Sequence, residues 1–141
     1  MTDLSTSAST TIEAPAEEVW EALTTPDLIE KWFFGVRTET DWKVGGPIVH
    51  TGEWQGKPYV DKGEIVRFDP PKVLVHTHWS ELSGVPDEPR NYQEVTWEVE
   101  ERDGGSELTI TEHNLPNEEA RAASEQAWGT VLTNLKRLLE G

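Results

Sequence analysis

Two histidines lie one residue apart in the stretch KVLVHTHWSE, an apolar run with few charges. If this stretch is a β-strand, His76 and His78 share one face, because side chains alternate along a strand. The chain contains two further histidines, His50 and His113. Paired imidazoles are compatible with half of a metal site, with an acid/base pair, or with two walls of a binding cavity.

A metal site needs three or four converging ligands, of which His76 and His78 supply two. His50 or Glu112 would have to complete the set, and a His-x-His spacing alone does not specify one. We therefore expect no metal ion and no other cofactor. The chain has no Cys, and no Ser in a nucleophile-elbow context, so nucleophilic catalysis is not expected either.

Glu112 lies in the stretch ELTITEH and continues the face that Leu108 and Ile110 form. A carboxylate on a buried face needs a hydrogen-bond partner. We expect Glu112 at the mouth of a cavity, bonded to a histidine or to water. The alternative is an acid/base pair with His76 or His78.

The elements that position these residues follow from hydrophobic periodicity. STSASTTI predicts a first strand, and APAEEVWEALTTPDLIEKWF predicts two short helices, the second capped by Thr25 and beginning at Pro26. Between residues 36 and 114, apolar and polar residues alternate between turns, which indicates a series of antiparallel strands. The strands are predicted over Ile48–Trp54, Val60–Phe68, Val73–Trp79, Asn91–Glu101 and Glu107–His113.

The last segment predicts a long amphipathic helix with Asn117 as its N-cap. Its apolar residues recur at steps of three and four, which is typical of a helix with one buried face. They are Ala127, Trp128, Val131, Leu132, Leu135, Leu138 and Leu139. Gly129 weakens this helix and suggests that another element packs closely there. Half-polar strands need one covered face, so the sheet should curve around this helix.

Composition limits the class of protein and its partners. A chain of 141 residues predicts one domain, here with residues 1–5 as a disordered tail. The net charge of −15 argues against nucleic acid or an anionic membrane as partner, since both bind clustered Lys and Arg. The start of the chain lacks the features of a secretory signal, and no apolar run reaches bilayer length, so we expect a cytoplasmic protein.

The order of elements and several stretches resemble a known family. The matching stretches are IEAPAEEVWEALTTPDLIEKWF, the Gly45-Gly46 pair, GEIVRFDPPKVLVHTHW, VTWEVE, LTITEHNLP and WGTVLTNLKRLL. Together they resemble the START-like (SRPBCC) superfamily, and within it the domain similar to the C-terminal part of the activator of Hsp90 ATPase. The resemblance implies an α+β helix-grip fold: a curved antiparallel sheet wrapped around a long C-terminal helix, with two short helices after the first strand.

Helix-grip folds enclose a cavity between sheet and helix, so the resemblance implies that a small hydrophobic or amphipathic molecule binds there. The family usually has aromatics where His76 and His78 stand, which favours an inward orientation for both. The apolar Val73, Val75 and Trp79 on the other face would favour the reverse. The expected ligand-binding residues are Trp32, Phe33, His50, His76, His78, Trp97, Ile110, Glu112, Trp128 and Leu132.

Two other functions stay open. A cyclase- or hydrolase-type enzyme on this fold would use His76 or His78 with Glu112 as acid and base. A chaperone-associated or stress-related interaction module would use its surface. The chain is too short for a separate Hsp90-binding domain, which weighs against direct activation of Hsp90. The apolar residues around Trp32 and Phe33 could flank a cavity entrance or a homodimer contact.

Overall fold

The structure, a computed structural model, describes residues 4–81 and 84–140. Of the predicted tail, residues 1–3 lie outside the described residues, as do Leu82 and Ser83 of the predicted loop after the histidine strand. Leu4, which was assigned to the tail, and Ser5, where the predicted tail and the predicted strand overlap, begin the first strand. They are ordered because the first strand pairs with the last one, where Leu4 lies opposite Leu115.

Within these ranges, seven strands form one antiparallel sheet in the order β1-β7-β6-β5-β4-β3-β2, with helices beside it. The elements are β1 (Leu4–Ile12), α1 (Ala16–Thr24), α2 (Pro26–Trp32), β2 (Arg37–Thr40), β3 (Pro47–Trp54), β4 (Lys57–Asp69), β5 (Val73–Ser80), β6 (Gln93–Arg102), β7 (Gly105–Leu115) and α3 (Glu118–Glu140). This arrangement confirms the α+β helix-grip prediction.

The strands bury the face that their alternation predicts. In β6, Val95, Trp97 and Val99 are buried, whereas Glu94 and Glu98, on the other face of the strand, are exposed. β7 buries its matching residues, which are Ser106, Leu108, Ile110 and Glu112. The two strands pair along their length, so these side chains form one continuous inner face of the sheet.

The long helix α3 begins where its cap predicts. The Asn117 side-chain oxygen accepts a hydrogen bond from the Ala120 amide at 2.8 Å, and the helix follows directly. Its buried side packs mainly on β1. The expectation for Gly129 was wrong: a Cβ at this position would meet no atom of the described residues within 4 Å.

The two short helices are joined through a tryptophan. The Trp32 indole N–H in α2 donates to the Ala22 carbonyl in α1 at 2.8 Å, and both residues are buried. Thr25 stands at the N-cap position of α2 as predicted, but its side chain makes no capping hydrogen bond. Pro26 provides the start of this helix, because its fixed φ suits the first turn. No helix of the described residues is long and apolar enough to cross a membrane.

Strand β4 lies very close to β5 at one point. A Cβ added to Gly63 would lie 1.7 Å from the Thr77 carbonyl oxygen, so only glycine fits there. On its other side β4 pairs with β3, where Asp61 lies opposite His50. The Asp61 carboxylate of β4 therefore lies next to His50 of β3 and His78 of β5.

Candidate functional site

A small interior cavity lies between α2, α3 and the inner face of the sheet. Its polar lining consists of Thr38, His50, His76 and His78. Its volume is about 30 Å³, which is room for one or two water molecules. In this conformation the cavity therefore cannot hold a larger molecule unless side chains move.

Aromatic rings form much of the cavity wall. Trp97 meets Trp32 and Trp128 edge-on, with ring centroids 5.4 and 5.5 Å apart. Phe33 stacks on Trp128 at 6.3 Å with an interplanar angle of 15°. Phe33 and Trp128 are only half-buried, so this stacked pair separates the cavity from the surface.

His76 is held by both of its ring nitrogens. Nδ1 lies 3.1 Å from the Thr77 carbonyl oxygen, which can only accept, and the Trp97 indole donates to Nε2 at 3.2 Å. These contacts assign the neutral tautomer with the proton on Nδ1. Burial lowers the pKa of His76 to about 4, although the bond to Thr77 opposes the shift. His76 therefore holds the indole in place and has no lone pair available as a base.

His50 is the second buried imidazole. Its Nδ1 lies 2.8 Å from the Thr38 hydroxyl oxygen, and its ring centroid is 6.2 Å from those of both His76 and His78. Burial lowers the pKa of His50 to about 3, with smaller contributions from the two neighbouring imidazoles. It is therefore neutral at pH 7.

His78 sits nearer the surface and faces a carboxylate. Its Nε2 lies 3.2 Å from Asp61 Oδ2, so the imidazole N–H donates to the carboxylate. The Asp61 side chain is 13% exposed. Its second oxygen, Oδ1, is buried and has no hydrogen-bond partner among the described residues. A buried carboxylate oxygen without a donor is uncommon in folded proteins.

Glu112 is bonded by residues of α3. The Ser124 hydroxyl and the Trp128 indole N–H both donate to Glu112 Oε1, the second at 2.9 Å. The expected histidine partner is not among the hydrogen bonds of the described residues, since His78 is bonded to Asp61 and His76 to Trp97. The reason is the placement of α3, whose Ser124 and Trp128 lie over this end of β7.

An open groove of about 220 Å³ adjoins the cavity. The two spaces share Phe33, His78 and Trp128 as lining residues. The rest of the groove wall is formed by Phe34, Val36, Tyr59, Asp61, Glu112, Ser124, Ala127 and Val131. The groove and the cavity thus form a single candidate site, divided by the stacked Phe33 and Trp128 rings.

Most of the residues expected from the sequence lie in this site. Seven line the cavity: Trp32, Phe33, His50, His76, His78, Trp97 and Trp128. Glu112 lines the groove. Ile110 and Leu132 are instead part of the packed core, and neither lines the cavity or the groove. Ile110 lies on β7 opposite Trp97, and Leu132 lies on α3, which packs mainly on β1.

Sequence reasoning missed several polar residues of the site, above all Asp61, Tyr59 and Ser124. Tyr59 lies across Gly52, where a Cβ would be 2.6 Å from its hydroxyl oxygen. Burial and the Asp61 carboxylate raise the pKa of Tyr59. A signal for Asp61 existed only in its register opposite His50, which alternation within β4 does not reveal.

Metal chemistry has no evident ligand set here. Among residues 4–81 and 84–140, no group of three or more His, Asp or Glu side chains is arranged to hold a metal ion. His76 illustrates the reason, because both of its nitrogens already have partners.

The sequence profile described as activator of Hsp90 ATPase homolog 1-like protein matches residues 13–140. The chain belongs to this family. The match covers every helix and every strand except β1, so the family assignment rests on nearly the whole fold. Among curated proteins, none matches the chain significantly.

Solved structures of similar proteins agree with this family fold. ChR145 from Cytophaga hutchinsonii is 42% identical, with 97% of this chain and 94% of that one covered and a TM-score of 0.84. CalU16 from Micromonospora echinospora is 26% identical over 96% of this chain and 75% of its own, with a TM-score of 0.75. CV1439 from Chromobacterium violaceum, at 20% identity, 98% coverage of both chains and a TM-score of 0.83, shows the same fold.

Proposed function

We propose that this family member binds a small amphipathic molecule between its sheet and α3. The observation that carries the proposal is the continuity of groove and cavity through Phe33, His78 and Trp128. A concave site with apolar walls and a few polar groups is the usual form of a small-molecule site. The apolar part of the ligand lies against the aromatic rings, and its polar end meets Asp61, His78 and Glu112.

The size of the site limits the ligand. The groove of about 220 Å³ is smaller than the usual range for drug-sized molecules. A compact ligand therefore occupies the groove as it stands. A longer one reaches the cavity once the half-buried Phe33 and Trp128 rings part, since loops and exposed side chains rearrange more readily than a packed core.

Binding is preferred over the two alternatives on the contacts described. The acid/base pair of the enzyme hypothesis needs a histidine bonded to Glu112, yet the hydrogen bonds described for Glu112 come from Ser124 and Trp128, both to Oε1, and none comes from a histidine. His76 has no lone pair free to accept a proton. The chaperone hypothesis draws support from the family's description alone, which names an activator of the Hsp90 ATPase.

The test uses the neutral dye N-phenylnaphthylamine, whose fluorescence rises in an apolar site. We expect saturable binding to the wild-type protein. Ala127→Trp places an indole in the groove and should abolish the signal, because Ala127 is exposed and lines the groove. Ala123→Trp is the matched control: Ala123 is exposed on the same helix and does not line the groove.

Equal dye binding by the wild type and Ala127→Trp would show that the dye binds elsewhere and that the groove is not the site. Thermal unfolding of both Trp variants checks that each one is folded. Native mass spectrometry of the purified wild type adds an independent readout, since a retained small molecule should be lost in Ala127→Trp and kept in Ala123→Trp.

A further inference from the structure

The charged groups of the groove are nearly all acidic. Asp61 comes from β4 and Glu112 from β7, two strands that lie three positions apart in the sheet, and both residues line the groove. Among the described residues that line it, His78 is the one nitrogen base, and no Lys or Arg contributes. The ion pairs described elsewhere in the chain involve neither carboxylate with a Lys or Arg. The groove therefore carries negative charge that no cationic side chain offsets.

In each carboxylate, the hydrogen bonds described go to one oxygen. Ser124 and Trp128 both donate to one oxygen of Glu112, Oε1. Asp61 accepts from His78 through Oδ2, while its buried Oδ1 has no partner among the described residues. A buried acceptor without a donor is costly, and a ligand that supplies a donor removes that cost.

Aromatic rings surround the same space. Phe33, Phe34, Tyr59 and Trp128 line the groove together with the two carboxylates. Phe34 is 59% exposed and lines the groove at its rim. The face of an aromatic ring attracts cations, and sites that combine such faces with carboxylates recognise organic ammonium groups.

We propose that the ligand of this groove is a cationic amphiphile: a protonated amine attached to a compact apolar or aromatic body. Its ammonium group donates to the Asp61 carboxylate, Glu112 adds negative charge to the same groove, and its body packs against Trp128 and Phe33. This inference rests on the proposed binding function and names the ligand class of the same groove. A neutral alcohol can donate a hydrogen bond to Asp61 but does not offset the negative charge of the groove. A ligand that carries a carboxylate is repelled by it.

Three probes that share one apolar body separate these possibilities. Phenylbutylamine, phenylbutanol and phenylbutyrate each compete with N-phenylnaphthylamine at pH 7.5 and low salt. We expect the amine to bind about ten-fold more tightly than the alcohol, and the butyrate to bind most weakly. Added KCl should reduce the preference for the amine, because salt screens charge interactions.

Two variants assign the preference to the groove. Asp61→Asn and Glu112→Gln remove one charge each and retain an oxygen that can accept the bonds of His78, or of Ser124 and Trp128. Each should weaken amine binding several-fold and leave alcohol binding nearly unchanged. Asp69→Asn is the matched control, because Asp69 lies on the same strand, is exposed and is outside the groove.

The outcomes distinguish this inference from the proposed function. If the dye binds but the alcohol or the butyrate competes as well as the amine, the cationic ligand is wrong and the binding site stands. If Asp69→Asn weakens the amine as much as Asp61→Asn does, the overall charge of the protein causes the preference and the assignment to Asp61 is wrong. If neither the dye nor any probe binds, both proposals fail.

Discussion

At the scale of single residues, His50, His76 and His78 have different roles although all three line the cavity. His76 supports the Trp97 indole and is neutral, His50 is buried beside Thr38, and His78 bonds to Asp61 at the boundary of the groove. The difference follows from depth, because burial penalises the charged imidazole most where water is excluded. Of these three histidines, His78 is the one that lines the groove and bonds to a carboxylate.

The buried histidines should make stability depend on pH. The pKa values of His50 and His76 are lowered to about 3 and about 4, below the unfolded value of 6.5. The unfolded chain therefore binds more protons below pH 6.5, and folding stability falls as pH decreases from there towards the folded pKa values. At pH 5.5 each histidine should cost about 1 kcal/mol relative to pH 7.5.

Urea unfolding at these two pH values measures the effect. Replacing His50 and His76 together by Gln should remove between about 2 and 3 kcal/mol of the loss between pH 7.5 and 5.5, and each single variant about half of it. Gln at position 76 keeps an oxygen that can accept from Trp97. An unchanged pH dependence in the double variant would mean that other groups cause the loss.

At the scale of elements, α3 serves both the core and the site. Val131, Leu132 and Leu135 are buried and hold the helix on the sheet. One turn earlier, Ser124 and Trp128 bond to Glu112 and form one side of the groove. Gly129 lies beside this site residue, yet nothing packs closely on it. The free energy that Gly129 costs the helix, relative to Ala, is therefore not offset by close packing.

Gly129→Ala should stabilise the protein by about 1 kcal/mol, because Ala restricts the unfolded chain and the methyl group meets open space. The expected rise in Tm is about 3 °C. Differential scanning calorimetry checks this value, with Ala123→Gly, at another exposed position of the same helix, as the control of opposite sign. A lower Tm for Gly129→Ala would reveal a steric conflict at this turn.

At the scale of the whole molecule, the excess of acidic residues lowers the stability of the fold. The net charge of −15 on 141 residues places many carboxylates on one small surface, and their repulsion opposes the compact state. The described ion pairs lie mostly between exposed side chains, such as Arg102 with Glu100 and Glu107, and contribute little each. Added salt screens both kinds of interaction. Because the repulsion between carboxylates is larger than the attraction within the ion pairs, added salt should stabilise the fold.

Raising KCl from about 0.01 M to about 1 M shortens the Debye length from about 30 Å to about 3 Å and should raise Tm by about 5 °C. Thermal unfolding followed by circular dichroism measures the change. Converting the exposed Glu64 and Glu98 to Lys should reduce the salt dependence, since it removes part of the repulsion. A Tm that falls with added KCl would show that attractive ion pairs outweigh the repulsion.

Much of the fold is predictable because its signals are local. The apolar stripe of α3, the alternation of β6 and the turns between strands are properties of neighbouring residues, and each predicts an element that the structure confirms. Errors arose where a distant partner decides. Leu4 and Ser5 look like a tail in isolation, but β7, more than a hundred residues later, gives their backbone a strand to pair with.

The composition of the site is less accessible to sequence reasoning. Periodicity predicts that Glu112 faces inward, because a strand alternates whatever lies across from it. It does not predict that Glu112 bonds to Ser124 and Trp128, or that His78 bonds to Asp61. Hydrogen bonds depend on distances of a few ångströms between elements far apart in the chain, and only the packed sheet and helix set those distances. The order of the elements and their buried faces can thus be predicted from neighbouring residues in the sequence. The hydrogen-bond partners of the polar groove residues are decided by how the strands and α3 pack against one another.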